Sequence, residues 1–207
     1  EEIAKYIFKF LVDNNVSFYD EKAQKGLVRH IVTKIGIKTN EIMCIIVING
    51  REIPNESKMI SELTSKFSSI KTIVKNINTK NTNVILGNEN INLYGDGYIT
   101  DKLGDYTFKI SPMSFYQVNP IQAERLYELK FADITKEDVV FDLYCGIGTI
   151  SLFMSKFAKK VYGVEIVDEA IIAAKENARI NNVYNTEFIA GDVEKVLDNL
   201  VNVKQII

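Results

Sequence analysis

The sequence predicts an α/β chain: a doubly wound region over residues 111–207, preceded by an α+β region over residues 1–110. Three observations predict it. From Asn119 onward, apolar strands and helices alternate strictly, the pattern of parallel strands joined by crossover helices. The strands of that region are nearly continuous apolar runs, as expected where helices cover both faces of a sheet. Before residue 111 the strands are shorter and are broken by Asn, Gly and Asp turns, with only two helical stretches.

The elements follow in order. Ile3, Ile7, Phe10 and Leu11 recur at helical spacing and predict an amphipathic helix over 2–14. GLVRHIVTKIG (26–36) and EIMCIIVING (41–50) read as strands, and the polar link Lys38-Thr39-Asn40 between them fits a hairpin. Ser57 to Phe67 reads as a helix with Ser57 as N-cap, and IKTIVKNIN (70–78) as a strand. Short β pieces follow at NVILG (83–87), INLYG (91–95), GYIT (97–100) and YTFKIS (106–111). Asn119-Pro120 then opens a helix, with Asn as N-cap and Pro at the first helical position. Beyond it come EDVVFDL (strand), TISLFMSKFA (helix), KKVYGVEI (strand), DEAIIAAKENARINN (helix), TEFIAG (strand), VEKVLDNL (helix) and the start of a strand in VKQII.

Composition excludes several classes. With 46% hydrophobic and 25% charged residues the chain is globular rather than disordered. No run approaches the length of uncharged residues that a membrane span needs. Two cysteines, Cys44 and Cys145, support neither a disulfide scaffold nor a zinc site built on paired cysteines, and no metal site is expected. His30 is the one histidine, so a Ser-His-Asp triad has a single candidate. Residues 1–110 hold 15 Lys/Arg against 13 Asp/Glu, and residues 111–207 hold 10 against 14. Within 22–80 the balance is 11 to 4, which fits either a nucleic-acid-facing region or a solvated lysine-rich surface. The chain starts at Glu1 with no signal-peptide pattern, so the expectation is an excised piece of a longer cytoplasmic protein.

The stretch VVFDLYCGIGTIS (139–151) carries the chemistry. An apolar strand runs into Asp142, then a glycine-rich turn, then a helix. Gly146 and Gly148 permit a tight turn and the approach of a ligand without Cβ obstruction. Glu165 ends the next strand, 19 residues after Gly146, where a carboxylate can accept from both ribose hydroxyls of a nucleoside. Asp192 closes the strand after that and is placed to face an adenine or simply to cap a helix. A dinucleotide would want phosphate-friendly surroundings and a third glycine, but the third position is Ser151 and Asp142 precedes the loop. A cationic nucleoside suits three acidic strand ends better, and S-adenosylmethionine is one.

The motifs SPMSFYQVNP, DLYCGIGTISLF, VYGVEIV and GLVRH resemble the RNA uracil-5-methyltransferases, in particular the Gram-positive type that acts on 23S ribosomal RNA, with tRNA the other RNA substrate to consider. The resemblance covers essentially all of the chain. It implies a Rossmann-like S-adenosylmethionine-dependent domain, cut short at its C-terminal end, behind a central α+β RNA-binding domain. It implies that Gln117 contacts the cofactor beside the target base, that Tyr144 and Thr149 line the cofactor site, that Glu165 binds the ribose and that Asp192 lies near the adenine. Thr149 stands where some members have Asn. Phe115 and Tyr116 suit stacking on unstacked bases or, equally, packing at a domain junction. Arg29 suits a phosphate contact or, with His30, an ordinary strand surface; alternation puts Leu27, Arg29 and Ile31 on one face and Val28, His30 and Val32 on the other.

The family's chemistry implies a cysteine thiolate that adds to carbon 6 of uracil and a general base that removes the carbon-5 proton. Cys44 lies among apolar neighbours in IMCIIVI and reads as a buried structural thiol. Cys145 lies in the cofactor loop, whereas the family nucleophile follows a later strand and a DPPR-type motif. Nucleophile and base are therefore expected past Ile207, no catalytic residue is assigned within the chain, and the chain alone is expected to be inactive. The family's β-barrel and the cysteines that hold an iron–sulfur cluster in many members would lie before Glu1. Competing readings are a methyltransferase of another substrate, a non-catalytic RNA- or nucleotide-binding module and, weakest, a dinucleotide oxidoreductase.

Overall fold

A computed structural model describes residues 1–131 and 133–200, which form two compact units: Glu1–Ile99 with Ser111–Met113, and Thr100–Ile110 with Ser114 onward. The strand expected from VKQII lies outside the described residues.

In the first unit, helix α1 (Glu2–Asp13) precedes strands β1 (Val28–Ile35) and β2 (Ile42–Ile48), helix α2 (Glu56–Lys66), and strands β3 (Ile70–Ile77) and β4 (Glu89–Tyr94). The sheet order is β1-β2-β3-β4. β1 and β2 form the antiparallel hairpin, β2 and β3 run parallel because α2 carries the chain back, and β4 returns antiparallel to β3. Ile7 and Leu11 of α1, Met59 and Leu63 of α2, and Cys44, Ile46, Ile48 and Ile73 of the sheet are buried in one core. Ser57 is not the cap of α2: the helix starts one residue earlier, after Asn55 in a left-handed conformation with no side-chain cap.

Two expectations in this unit fail for identifiable reasons. NVILG is not a strand. The segment between β3 and β4 is an irregular loop, held because Asn76 donates to the Gly87 carbonyl at 2.8 Å and Asn78 to the Val84 carbonyl at 2.7 Å. The alternation in β1 also breaks. Val28 pairs with Ile48 and His30 with Val47, so Arg29 is the extra residue of a β-bulge. The bulge lets Leu27, Val28 and Ile31 all pack on the same core.

The second unit begins with the hairpin β5 (Ile99–Leu103) and β6 (Tyr106–Ile110), followed by α3 (Pro120–Lys130), β7 (Val139–Leu143), α4 (Thr149–Ser155), β8 (Lys160–Glu165), α5 (Asp168–Ile180), β9 (Thr186–Ala190) and α6 (Val193–Leu200). β7, β8 and β9 are neighbours in one parallel sheet. α3 starts as its sequence dictates: the Asn119 side chain accepts from Gln122 N at 3.1 Å and Pro120 takes the first turn. The β5–β6 hairpin packs here through α5. Asn181 donates to the Thr107 carbonyl and accepts from the Thr107 amide, and Asn177 accepts from the Lys109 amide at 2.9 Å. These amides, one helical turn apart, satisfy backbone groups of β6 that would otherwise lack partners.

Candidate cofactor site

Asp142, Glu165 and Asp192 lie at or just beyond the carboxyl ends of β7, β8 and β9, where ligands bind in open parallel sheets. The turn between β7 and α4 is tight. Tyr144 has φ of 69° and Gly146 of 54°, both left-handed, and Cys145 N donates to the Val164 carbonyl at 2.9 Å. A left-handed tyrosine is strained, and its ring is 74% exposed rather than packed.

The two glycines divide the roles assigned to both. A Cβ on Gly146 would meet nothing within 4 Å, so that position leaves room for a ligand. A Cβ on Gly148 would lie 3.0 Å from the Phe188 ring and 3.2 Å from Ala174 Cβ. Gly148 therefore serves loop packing and the entry to α4, not ligand approach. Thr149 is the first residue of α4 and is half-buried.

Asp142 is 8% exposed and accepts from Ser151 Oγ at 2.5 Å. Burial holds its carboxyl above the usual carboxylate range, and the Ser151 hydroxyl and amide oppose that shift. Glu165 takes three backbone donors: Gly146 N at 3.2 Å on one oxygen, and Ile166 N at 2.9 Å and Val167 N at 3.1 Å on the other. It thus joins the glycine loop to the start of α5. Asp192 accepts from Glu194 N at 3.1 Å and caps α6, the alternative its sequence position allowed.

Gln117 is half-buried. Burial raises the Tyr127 hydroxyl above the usual phenol range, with the Gln117 side chain opposing and the Asp142 charge adding to the shift. Phe115 is 73% exposed, available for stacking. Tyr116 is not: its ring packs 6.1 Å from that of Phe108, and burial together with the Asp101 carboxylate pushes its hydroxyl above the usual phenol range. Of the two rings, Phe115 is the exposed one.

Arg29 is likewise corrected. Its side chain is 1% exposed. It donates to the carbonyls of Asn78, Lys80 and Thr82 at 2.7–3.2 Å, and its guanidinium lies 4.4 Å from the Tyr19 ring centroid. The bulge turns it inward, where it braces the β3–β4 loop and has no access to a phosphate.

Neither cysteine suits nucleophilic chemistry. Both are buried, and burial pushes both thiols up to about 12, with Asp142 and Glu165 adding to the effect at Cys145. A cleft of about 830 Å³ in the first unit includes Arg51, Glu56 and Lys75, but Lys75 is paired with Glu56 at 2.7 Å and Arg51 with Glu89 at 2.8 Å. Among the described residues no cluster of His, Cys, Asp and Glu has metal-binding geometry, and no helix is long and apolar enough to cross a membrane.

Sequence reasoning passed over three residues of this region: Ser151, Tyr127 and Asn177. Asn177 is fully buried and donates to the Ile147 carbonyl at 3.0 Å, fixing the glycine loop from behind. The available signal was spacing. Asn177 and Asn181 recur one helical turn apart on a helix whose apolar face needed no amide.

Residues 134–206 match a family described as a methyltransferase domain. Over 203 residues the chain is 47% identical to an uncharacterized RNA methyltransferase of Clostridium tetani, covering 97% of this chain and 44% of that protein. It is 48% identical over 202 residues to another of Clostridium acetobutylicum, with 97% and 44% covered. The chain thus spans less than half the length of these curated relatives. Among solved structures, the Pyrococcus abyssi tRNA (uracil-54, C5)-methyltransferase, in complex with S-adenosyl-L-homocysteine, matches with a TM-score of 0.76 and 26% identity over 91% of this chain and 45% of that one. The chain is therefore similar, over nearly its whole length, to part of proteins named RNA methyltransferases, and its second unit carries the Rossmann-like fold of a methyltransferase domain.

Proposed function

We propose that this chain is part of an S-adenosylmethionine-dependent methyltransferase acting on carbon 5 of a uridine in RNA, ribosomal RNA first and tRNA second. The observation that carries the cofactor reading is the cradle at the strand ends, where the space beside Gly146 is open and the Glu165 carboxylate accepts from the Gly146 amide. When bound, the cofactor supplies an electrophilic methyl group on a sulfonium. Glu165 receives the ribose hydroxyls, Asp142 the amino end, and Asp192 borders the adenine while capping α6. Tyr144 and Thr149 line the cofactor, and Gln117 reaches the junction of cofactor and base. Phe115 offers its exposed ring to a base held out of its stack. The uridine and RNA assignments rest on the SFYQVNP and DLYCGIGT motifs and on the likeness to the named relatives.

Carbon-5 chemistry needs a thiolate, and Cys44 and Cys145 are buried thiols pushed up to about 12, so neither is proposed as the nucleophile. The test uses the intact protein, methyl-labelled cofactor, and unmodified 23S ribosomal RNA and tRNA transcripts. Label recovered as 5-methyluridine in ribosomal RNA is the expected result. Label in tRNA alone would change the substrate, and label in protein or at another base would overturn the reading.

A further inference from the structure

We propose that Ser151 is the positioning residue of the cofactor site: through the 2.5 Å hydrogen bond from its hydroxyl to Asp142 Oδ2, it fixes the carboxylate that receives the amino end of the cofactor. This inference rests on the cofactor reading above.

The geometry that supports it is specific. Ser151 is fully buried, so its hydroxyl does not serve solvent, and it sits in the first turn of α4, directly after the glycine loop. Asp142 lies near the end of β7, on the other side of that loop. The bond therefore ties the strand before the loop to the helix after it, closing the turn around the ligand space at Gly146. A buried carboxylate without donors protonates, and a protonated Asp142 would lose its attraction for an ammonium. The hydroxyl favours the charged form and holds its orientation. An alanine would fill the same interior equally well, so the hydroxyl is explained by its partner and not by packing.

The groups around Asp142 leave its titration interpretable. Cys145 in the loop stays a neutral thiol, and Tyr127 of α3 has its hydroxyl raised by burial. Glu165 stands at the end of the neighbouring strand, and the second unit contains no histidine.

The test is calorimetric binding of S-adenosylhomocysteine to the intact protein across pH, for wild type, Ser151→Ala and Ser151→Cys. Loss of a hydrogen bond to a charged group is worth about a tenfold change, so acid should begin to weaken Ser151→Ala about one pH unit above wild type. Its affinity should recover as pH rises and the carboxylate ionises. Ser151→Cys, a similar-sized side chain with a weak donor, should shift in the same direction and serves if the alanine variant folds poorly. A merely structural role would lower affinity by one factor at every pH. That result, or superimposable profiles, overturns the assignment of Ser151 while leaving the cofactor reading intact. Absence of binding by the wild type overturns the cofactor reading, and this inference with it.

Discussion

The two units handle buried polar groups in opposite ways. In the first, Arg29, Asn76 and Asn78 donate to loop carbonyls and Lys75 pairs with Glu56, so these polar groups are spent on holding the unit's own architecture. In the second, Asn177 and Asn181 are used in the same manner, but the strand ends are not. Glu165 gathers three amides at the rim of an open space, and Tyr144 stands strained and exposed beside it. Groups bonded among themselves hold architecture, whereas polar groups gathered at the rim of an open space beside a strained residue support the ligand site proposed above.

The comparison can be broken most sharply at Arg29. If the first unit's polar groups hold its own architecture, Arg29→Met leaves several loop carbonyls without a donor and destabilises that unit by about 3–4 kcal/mol, read by urea unfolding. Binding of S-adenosylhomocysteine should be unchanged. A stable variant with impaired RNA binding would restore the phosphate role to this residue.

The two loop glycines sharpen the contrast inside the second unit. Gly148→Ala combines left-handed strain with overlap against Phe188 and should cost about 2–3 kcal/mol of stability. Gly146→Ala has the strain without the overlap and should cost about 1–2 kcal/mol. It should nevertheless weaken S-adenosylhomocysteine the more strongly per unit of stability lost, because its methyl group enters the ligand space. Equal ratios of binding loss to stability loss in the two variants would remove the distinction between them.

A smaller effect concerns acid. Arg179 and Lys109 hold the Glu176 carboxyl at about 2, below its usual 4.5. A depressed carboxyl contributes stability above the unfolded value and loses it as pH falls from about 4.5 toward 2. Glu176→Gln should flatten this part of the acid unfolding curve of the second unit by lowering stability at neutral pH, while leaving the acid end, where the carboxyl is protonated in both states, almost untouched. The smallest effect is expected at the cysteines. Iodoacetamide at pH 8 should leave Cys44 and Cys145 unmodified in the folded protein and label both in urea, as detected by mass spectrometry. Rapid labelling of native Cys145 would reopen its candidacy as a nucleophile.

Much of this organisation was legible from the residues. The alternation after Asn119, the Asn119-Pro120 helix start, the β1–β2 hairpin and the three acidic strand ends all follow from local pattern, because side-chain periodicity and turn chemistry act over a few residues. NVILG misled because β propensity measures fit to a half-buried pleated surface, and here buried amides from β3 hold the same residues as a loop. Ser151 was legible only as a missing third glycine, since its partner is nine residues away across a turn.

The sequence by itself determined where strands and helices alternate, which loop can turn tightly and which strand ends carry charge. Tertiary structure decided what each polar group does. A single-residue bulge turned Arg29 inward, Phe188 separated the task of Gly148 from that of Gly146, and the packing of Tyr116 on Phe108 left Phe115 as the exposed ring. The physical reason is the same in each case. A periodic pattern fixes a side chain's face, but its burial and its partners come from residues distant in the chain, and a buried polar group must take whatever partner the fold brings to it.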